Sequence, residues 1–245
     1  MDKINLEQYH LNFFLKDLEE INISLSEKQL IQFMSYYELL IEWNQVMNLT
    51  AITDFDEVMK KHFIDSLSLV KAYDVSKTVS LIDIGTGAGF PGIPLKIAFP
   101  DLDVTLLDSL NKRVNFLNTV IDQLGLEKIQ AIHGRAEDFA KKGKLREQYD
   151  VCVSRAVANL STLSEYCLPY VKIGGYFISY KSEKIEEEKK EAEHAISVLG
   201  GKIENQIAFM IPNSDIYRSL FIVRKEKETP AKYPRKAGTA AKEPL

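Results

Sequence analysis

Residues Val79–Pro94 read VSLIDIGTGAGFPGIP. An apolar run (Val79, Leu81, Ile82, Ile84) leads into Asp83-Ile84-Gly85-Thr86-Gly87-Ala88-Gly89, and a helix-compatible segment follows. A short continuous apolar run of this kind reads as a strand buried on both faces, as in a parallel sheet. Glycines directly after it let backbone approach a ligand with no side chain between. In an open α/β sheet, the crevice beyond the carboxyl ends of the strands is the usual ligand site. The stretch predicts a nucleotide-like cofactor bound at the end of this strand.

Two cofactors compete for that place. Gly87, Gly89 and Gly92 spell G-x-G-x-x-G, a dinucleotide fingerprint. Gly85, Gly87 and Gly89 also spell G-x-G-x-G straight after the strand, with Asp83 just before it. A carboxylate there can accept hydrogen bonds, directly or through water, from the cationic methionine end of S-adenosylmethionine. Pyrophosphate gains little from an acid beside a helix N-terminus that favours anions. A second strand, Asp103–Asp108, also ends in an acid, placed to accept from ribose hydroxyls. Both acids have plainer readings: Asp83 as a structural strand-end carboxylate, Asp108 as an acid favouring the helix from Ser109 onward.

The rest of the chain alternates. Strands are predicted at 79–84, 103–108, 129–133, 149–153, 173–181, 203–210 and 217–224. Helices are predicted at 91–99, 110–124, 159–168 and 183–199. That order implies a doubly wound, mainly parallel seven-stranded α/β sheet. Little lies between the last two strands except Ile211-Pro212-Asn213-Ser214-Asp215, so they form an antiparallel hairpin at the C-terminal end. Before the sheet, Leu11, Phe14, Leu15 and Leu18 recur at helical spacing, as do Leu30, Phe33, Met34, Tyr37, Leu40 and Ile41. Ser26 and Gln29 make a capping box, and a third helix starts near Asp54 or Asp56. Three parts follow: a helical cap over 1–73, a cofactor-binding domain over 74–226 and a basic tail over 227–245.

Composition bounds the chemistry. The 245 residues are 45% hydrophobic and 27% charged, ordinary for a globular protein. No apolar stretch approaches a membrane span, and the early acids (Asp2, Glu7, Asp17, Glu19, Glu20) exclude a signal peptide, so a cytoplasmic location is expected. Cys152 and Cys167 sit in apolar patterns and read as core, and the four histidines are scattered, so no protein-bound metal is expected. Net charge is −4, yet the stretch from Arg224 to the end carries seven basic and three acidic residues. A local basic patch can engage phosphates despite an acidic whole; the plain alternative is a solvated tail.

Several stretches together carry a resemblance. They are Trp43-Asn44 with Asn48-Leu49-Thr50-Ala51-Ile52; His62-Phe63-Ile64-Asp65-Ser66-Leu67; Asp83 to Pro94; Leu106-Leu107-Asp108-Ser109 with Lys112-Arg113 and Phe116-Leu117; Gly134-Arg135-Ala136-Glu137; Ser154-Arg155-Ala156-Val157-Ala158; and Tyr233-Pro234-Arg235-Lys236-Ala237-Gly238. The chain resembles the bacterial N7-guanine methyltransferases of small-subunit ribosomal RNA, the glucose-inhibited division protein B or ribosomal RNA small subunit methyltransferase G family. One departure is Lys61, where the family commonly has arginine; the cation stays, but bidentate recognition is lost.

The resemblance implies a class I S-adenosylmethionine-dependent methyltransferase fold and methylation of guanine 527 of 16S ribosomal RNA. It implies a cofactor pocket at Gly85, Phe90, the Asp108 region with Ser109, Ala136-Glu137 and Arg155. Asp83, Gly87 and Gly89 join them from the glycine stretch. Phe90 is expected to pack on the cofactor or in the core beneath the loop. Glu137 is expected at the adenine edge or as a first-turn acid. Arg155 follows the fourth strand, where it could meet the methionine carboxylate, an RNA phosphate or a salt-bridge partner. Lys112, Arg113, Arg135, Arg235 and Lys236 are candidates for an RNA-facing rim, and Phe90, Tyr180 and Tyr233 for base stacking. Trp43, Asn44 and Asn48 read as an amide network tying cap to sheet. The partner is 16S ribosomal RNA or the small subunit, met by a monomer.

Guanine N7 offers a neutral lone pair, so methylating it releases no proton and needs no general base. No obvious His/carboxylate constellation is present in the sequence, which fits a mechanism of positioning. Two other classes stay open: an NAD-dependent oxidoreductase reading Gly87, Gly89 and Gly92, and a non-catalytic RNA-binding or cell-division factor with a vestigial pocket.

Overall fold

A computed structural model describes residues 4–77, 80–155, 158–182 and 185–245. Val79 of the first expected strand, Ala156 and Val157 of the Arg155 motif, and the first two residues of the 183–199 helix lie outside the described residues.

Two helices open the chain, α1 (Asn12–Glu20) and α2 (Glu27–Met47). Ser26 caps α2 through the predicted box: its Oγ accepts from the Gln29 amide while the Gln29 side chain accepts from the Ser26 amide. Gln29 Nε2 also donates to the carbonyls of Ile97 (2.8 Å) and Ala98 (3.1 Å). Asn48 closes α2 in the left-handed region at φ 48°, a conformation asparagine tolerates better than most residues. A continuous helical run follows Asp54, its N-cap: α3 (Phe55–Val58), a π-helical stretch (Met59–Ile64), α4 (Asp65–Leu67) and a 3-10 turn (Ser68–Lys71).

The strands are β1 (Ser80–Ile84), β2 (Asp103–Asp108), β3 (Ile129–His133), β4 (Tyr149–Ser154), β5 (Val171–Lys181), β6 (Gly201–Met210) and β7 (Tyr217–Lys225). Between them lie α5 (Gly92–Ala98), α6 (Asn111–Leu124), the short α7 (Ala136–Phe139), α8 (Leu160–Cys167) and α9 (Glu186–Val198); α10 (Thr239–Lys242) comes last. The sheet order is β3-β2-β1-β4-β5-β7-β6. β7 inserts between β5 and β6 and is antiparallel to both, while the remaining pairs are parallel. The expected hairpin is there, with its second strand placed inside the first.

Alternation along the strands builds two cores. Leu81, Leu106, Val151, Val153, Ile178, Leu220 and Ile222 join the N-terminal helices, α5 and α6 on one face. Ile82, Ile84, Leu107, Cys152, Phe177, Phe221 and Val223 join α8 and α9 on the other. Both cysteines are buried there as thiols. The cap shares the first core: Phe14, Phe33, Tyr36 and Phe63 belong to one cluster with Leu81, Ile93 and Leu106. The strand order reverses between β2-β1 on one side and β4 on the other, so the loop after β1 opens at the switch point where such sheets hold ligands.

Residues 227–245, read from composition as a basic tail, are folded onto the domain. Arg146 donates to the carbonyls of Ala140 (3.1 Å), Tyr233 (2.8 Å) and Thr229, and Thr229 N donates to Glu147 Oε1 (2.7 Å). Lys225 is fully buried and donates to the Leu168 carbonyl and Thr229 Oγ1. Counting charge says nothing of such partners, which satisfy the backbone of a segment with few apolar residues.

Candidate active site

Asp83, the penultimate residue of β1, is fully buried. Its Oδ2 accepts from Thr86 Oγ1 (2.7 Å) and the Gly92 amide (2.9 Å), folding the glycine loop back over the strand. Its Oδ1 is buried with no partner. Burial pushes this carboxyl up to about 6, against the pull of Thr86, Gly92 and the Arg155 charge. In an unfolded chain it would titrate near 3.8. Its ionisation therefore opposes folding as pH rises through that interval.

The loop's glycines divide by task. At Gly87 (φ +64°) an added Cβ would meet nothing within 4 Å, so the backbone there faces open space. At Gly89 (φ +100°) it would stand 2.5 Å from Ile93 Cδ1 and 2.8 Å from the Tyr36 hydroxyl, so that position is packed. Asp108 Oδ2 accepts from the Gly87 amide and Oδ1 from the Leu110 amide, both at 2.9 Å, with Arg113 Nη1 at 3.5 Å. Asp108 thus serves the loop and the entry to α6, and each oxygen retains acceptor capacity for a ligand.

Beside the loop lies a cleft of about 380 Å³, lined by Gly85, Ser109, Leu110, Arg135, Ala136, Glu137, Leu163, Tyr166 and Gly238 among others. It gathers five of the residues singled out in the sequence: Gly85, Ser109, Arg135, Ala136 and Glu137. Glu137 is buried, and its Oε1 accepts from the Gly238 amide at 2.8 Å.

Phe90 and Arg155 stand apart from that cleft, on the side of the N-terminal helices. Phe90 is buried, stacked on His62 (centroids 4.5 Å, 17°) and beside Tyr36 (5.4 Å) and Phe63 (6.1 Å). The Arg155 guanidinium lies 5.0 Å from the Phe90 centroid. It donates to Asp65 Oδ2 (2.9 Å) and the Lys61 carbonyl (3.2 Å) and meets His62 Nδ1 (3.2 Å). Arg218 Nε closes the other side of Asp65 at 2.9 Å. His62 Nε2 meets Thr50 Oγ1 at 2.8 Å, and the Thr50 amide donates to Asn44 Oδ1. Burial and then the Arg155 charge push His62 down to about 3, so its ring is neutral. In the unfolded chain it would titrate near 6.5, so its contribution to stability is lost as pH falls below that value. Between about pH 4 and 6, Asp83 and His62 therefore act on stability with opposite signs.

The five cations named for the rim fall into two groups. Lys112, Arg135 and Lys236 are exposed. Arg113 is drawn to Asp108, and Arg235 is bound to Glu165 through Nε (3.0 Å to both oxygens) and Nη2 (2.6 Å). Lys61 pairs with Glu57, one helical turn away. The two tyrosines named for stacking are buried, Tyr180 donating to the Ser66 carbonyl, Tyr233 in the core cluster that includes α8 and α9 residues. Asp65, Arg218, Thr50, Glu165 and Tyr36 were missed as site residues. Asp65 and Thr50 lay within stretches that carry the resemblance, and Asp65 also stands three residues from His62 on one helical face; Arg218, Glu165 and Tyr36 had no such signal. Among the described residues no cluster of His, Cys, Asp and Glu is arranged to hold a metal ion.

A family model described as GidB, rRNA small subunit methyltransferase G, matches residues 29–216. The chain belongs to this family. A ribosomal RNA small subunit methyltransferase G of Lachnoclostridium phytofermentans is 57% identical over 232 residues, covering 95% of this chain and 96% of the relative. Its counterpart in Clostridium novyi is 49% identical over 242 residues, covering 99% and 100%. The fold is that of S-adenosylmethionine-dependent methyltransferases: the solved structure of one from Aquifex aeolicus superposes with a TM-score of 0.52 at 16% identity, over 72% of this chain and 96% of that one. Membership in the G family and the inserted antiparallel β7 set aside the dinucleotide oxidoreductase reading. Among the described residues no helix is long and apolar enough to cross a membrane.

Proposed function

We propose that this chain binds S-adenosylmethionine at the end of β1 and methylates N7 of a guanine in 16S ribosomal RNA, guanine 527 by family resemblance. The observation that carries the cofactor reading is Asp83. A buried carboxylate oxygen with no partner beneath a glycine loop is costly unless a ligand donates to it. The ammonium of the methionine moiety, directly or through water, is such a donor. The open space over Gly87 and the adjacent cleft suit the remainder of the molecule. The RNA reading rests on the names of the relatives and on exposed Arg135, Lys112 and Lys236, cations suited to phosphate.

When bound, the cofactor supplies a methyl group already activated by a sulfonium. The chain's task is alignment, and proximity and orientation can supply about 7–11 kcal/mol. The Asp83-braced loop orients the cofactor's methionine end, and Asp108 and Glu137 border the adenosine side. His62 is neutral, with Nδ1 accepting from Arg155 and Nε2–H donating to Thr50 Oγ1, so both ring nitrogens are committed to structure, which fits a transfer that needs no general base. Arg155, with three of its five N–H donors engaged, holds the cap against Phe90.

The deciding experiment is transfer of labelled methyl from S-adenosylmethionine to small-subunit particles lacking the modification, with the labelled nucleoside identified by mass spectrometry. Label in a single 7-methylguanosine is expected. Cofactor binding without that product would overturn the RNA assignment, and no cofactor binding by folded protein would overturn the site.

Asp83 also predicts a pH profile. A cation at Oδ1 favours the carboxylate, so cofactor binding at acidic pH must release a proton. Affinity is expected to fall below about pH 6, approaching tenfold per pH unit. Calorimetric titration of cofactor from pH 5 to 8 checks it. Asp83→Asn should bind more weakly and show a flat profile; an equally steep profile in that variant would reject the role.

A further inference from the structure

We propose that the C-terminal segment is a wall of the cofactor cleft, and that Arg235 and Glu165 are positioning residues that hold it there. This rests on the reading of the cleft as the S-adenosylmethionine site. Gly238 lines the cleft together with Gly85, Ser109, Ala136 and Glu137. Its amide donates to Glu137 Oε1, so this stretch of backbone is tied to the side chain that borders the cleft after β3. Gly238 has φ +84° and is the N-cap of α10, so the chain turns at the point where it meets the cleft.

Anchors on both sides of Gly238 lead to α8, the helix that gives Leu163 and Tyr166 to the same cleft. Upstream, Glu165, 1% exposed, accepts the Arg235 fork and the Arg235 amide (2.7 Å). Downstream, Thr162 Oγ1 donates to the Ala240 carbonyl (3.0 Å) and Ser161 Oγ to the Leu245 carbonyl (2.9 Å). Arg235 Nη2 also donates to the Glu243 carbonyl at 2.8 Å, bracing the far end of the segment. A bidentate, charge-assisted pair of this kind fixes geometry as well as adding energy. Neither Arg235 nor Glu165 lines the cleft. Their loss reaches a ligand through Gly238 and Glu137.

The test is cofactor affinity measured without RNA, on full-length Arg235→Met and Glu165→Gln, with folding checked by circular dichroism and thermal melts. Both are expected to weaken binding about tenfold. KM for cofactor should rise by the same factor, with a much smaller change in kcat. Arg235→Lys, which keeps the charge and loses the fork, should fall between. If Arg235 served as an RNA contact instead, its loss would raise KM for RNA and leave cofactor affinity unchanged. Glu165, buried and an anion with no affinity for phosphate, separates the two. Hydrogen exchange supplies a readout on wild-type protein: cofactor should slow exchange in the 233–242 region. Folded variants with wild-type affinity, or no protection of that region by bound cofactor, would overturn the proposal. Wild-type protein that binds no cofactor would instead remove the reading on which it rests.

Discussion

Asp65→Ala is expected to cost about 3–5 kcal/mol of folding stability, the usual loss when one partner of a buried charge cluster is removed. Asp65 is 2% exposed and accepts from Arg155 Nη1 and Arg218 Nε, each at 2.9 Å. Without it, two guanidiniums at the junction of cap and sheet face each other with no anion between. Asp65→Asn keeps an acceptor oxygen and should lose less. Urea denaturation of the two variants beside wild type decides it, and a loss under about 1 kcal/mol for the alanine variant would mean that water reaches the cluster. Activity should fall with stability, because the freed Arg155 no longer fixes Phe90 and His62 at the back of the glycine loop.

Gly89→Ala is the second large effect. At φ +100° a side chain is strained, and its Cβ would lie 2.5 Å from Ile93 Cδ1 and 2.8 Å from the Tyr36 hydroxyl. Ile93 can shift in part; Tyr36 is fully buried among Phe63 and Phe90 and cannot. Strain and overpacking together should cost about 3 kcal/mol, and the displaced loop should lose measurable cofactor binding. Gly87→Ala is the contrast. With nothing within 4 Å of its Cβ, only backbone strain of about 1–2 kcal/mol applies, while the new methyl projects into the space read as the ligand's. Thermal melts and calorimetry on the pair should show Gly89→Ala losing more stability, and Gly87→Ala losing affinity out of proportion to stability. Equal behaviour of the two would show that the loop is looser than its hydrogen bonds imply.

The sheet was legible because its signals are local. The runs ending at Asp83 and Asp108 are short, apolar and punctuated, and the Ser26–Gln29 cap announces α2 within four letters. The Gly85–Gly89 loop could be read as a ligand cradle for the same reason. Most of what braces the site could not. Arg218 reaches Asp65 across 153 residues of chain, and Tyr180 reaches Ser66 across 114; no periodicity encodes such pairings. Arg235 and Tyr233 looked like surface because neither residue type carries a mark of a distant partner, yet Glu165 accepts the Arg235 guanidinium and Arg146 donates to the Tyr233 backbone carbonyl. Phe90 was ambiguous for a related reason: its neighbour His62 comes from a π-helical stretch whose register sequence spacing does not foretell.

Tyr36 carries a consequence for modularity. Its hydroxyl donates to the Ala88 carbonyl, inside the glycine loop, from a helix that precedes the sheet by more than thirty residues. A chimera that joined residues 80–225 to a different helical leader would strand that carbonyl without a donor and open a void beside Phe90. The leader is therefore not interchangeable packaging. Natural variation in this protein should be free at the exposed face of α2 and correlated at Tyr36, Phe63 and Phe90, because a change in any one of the three deforms the seat of the others.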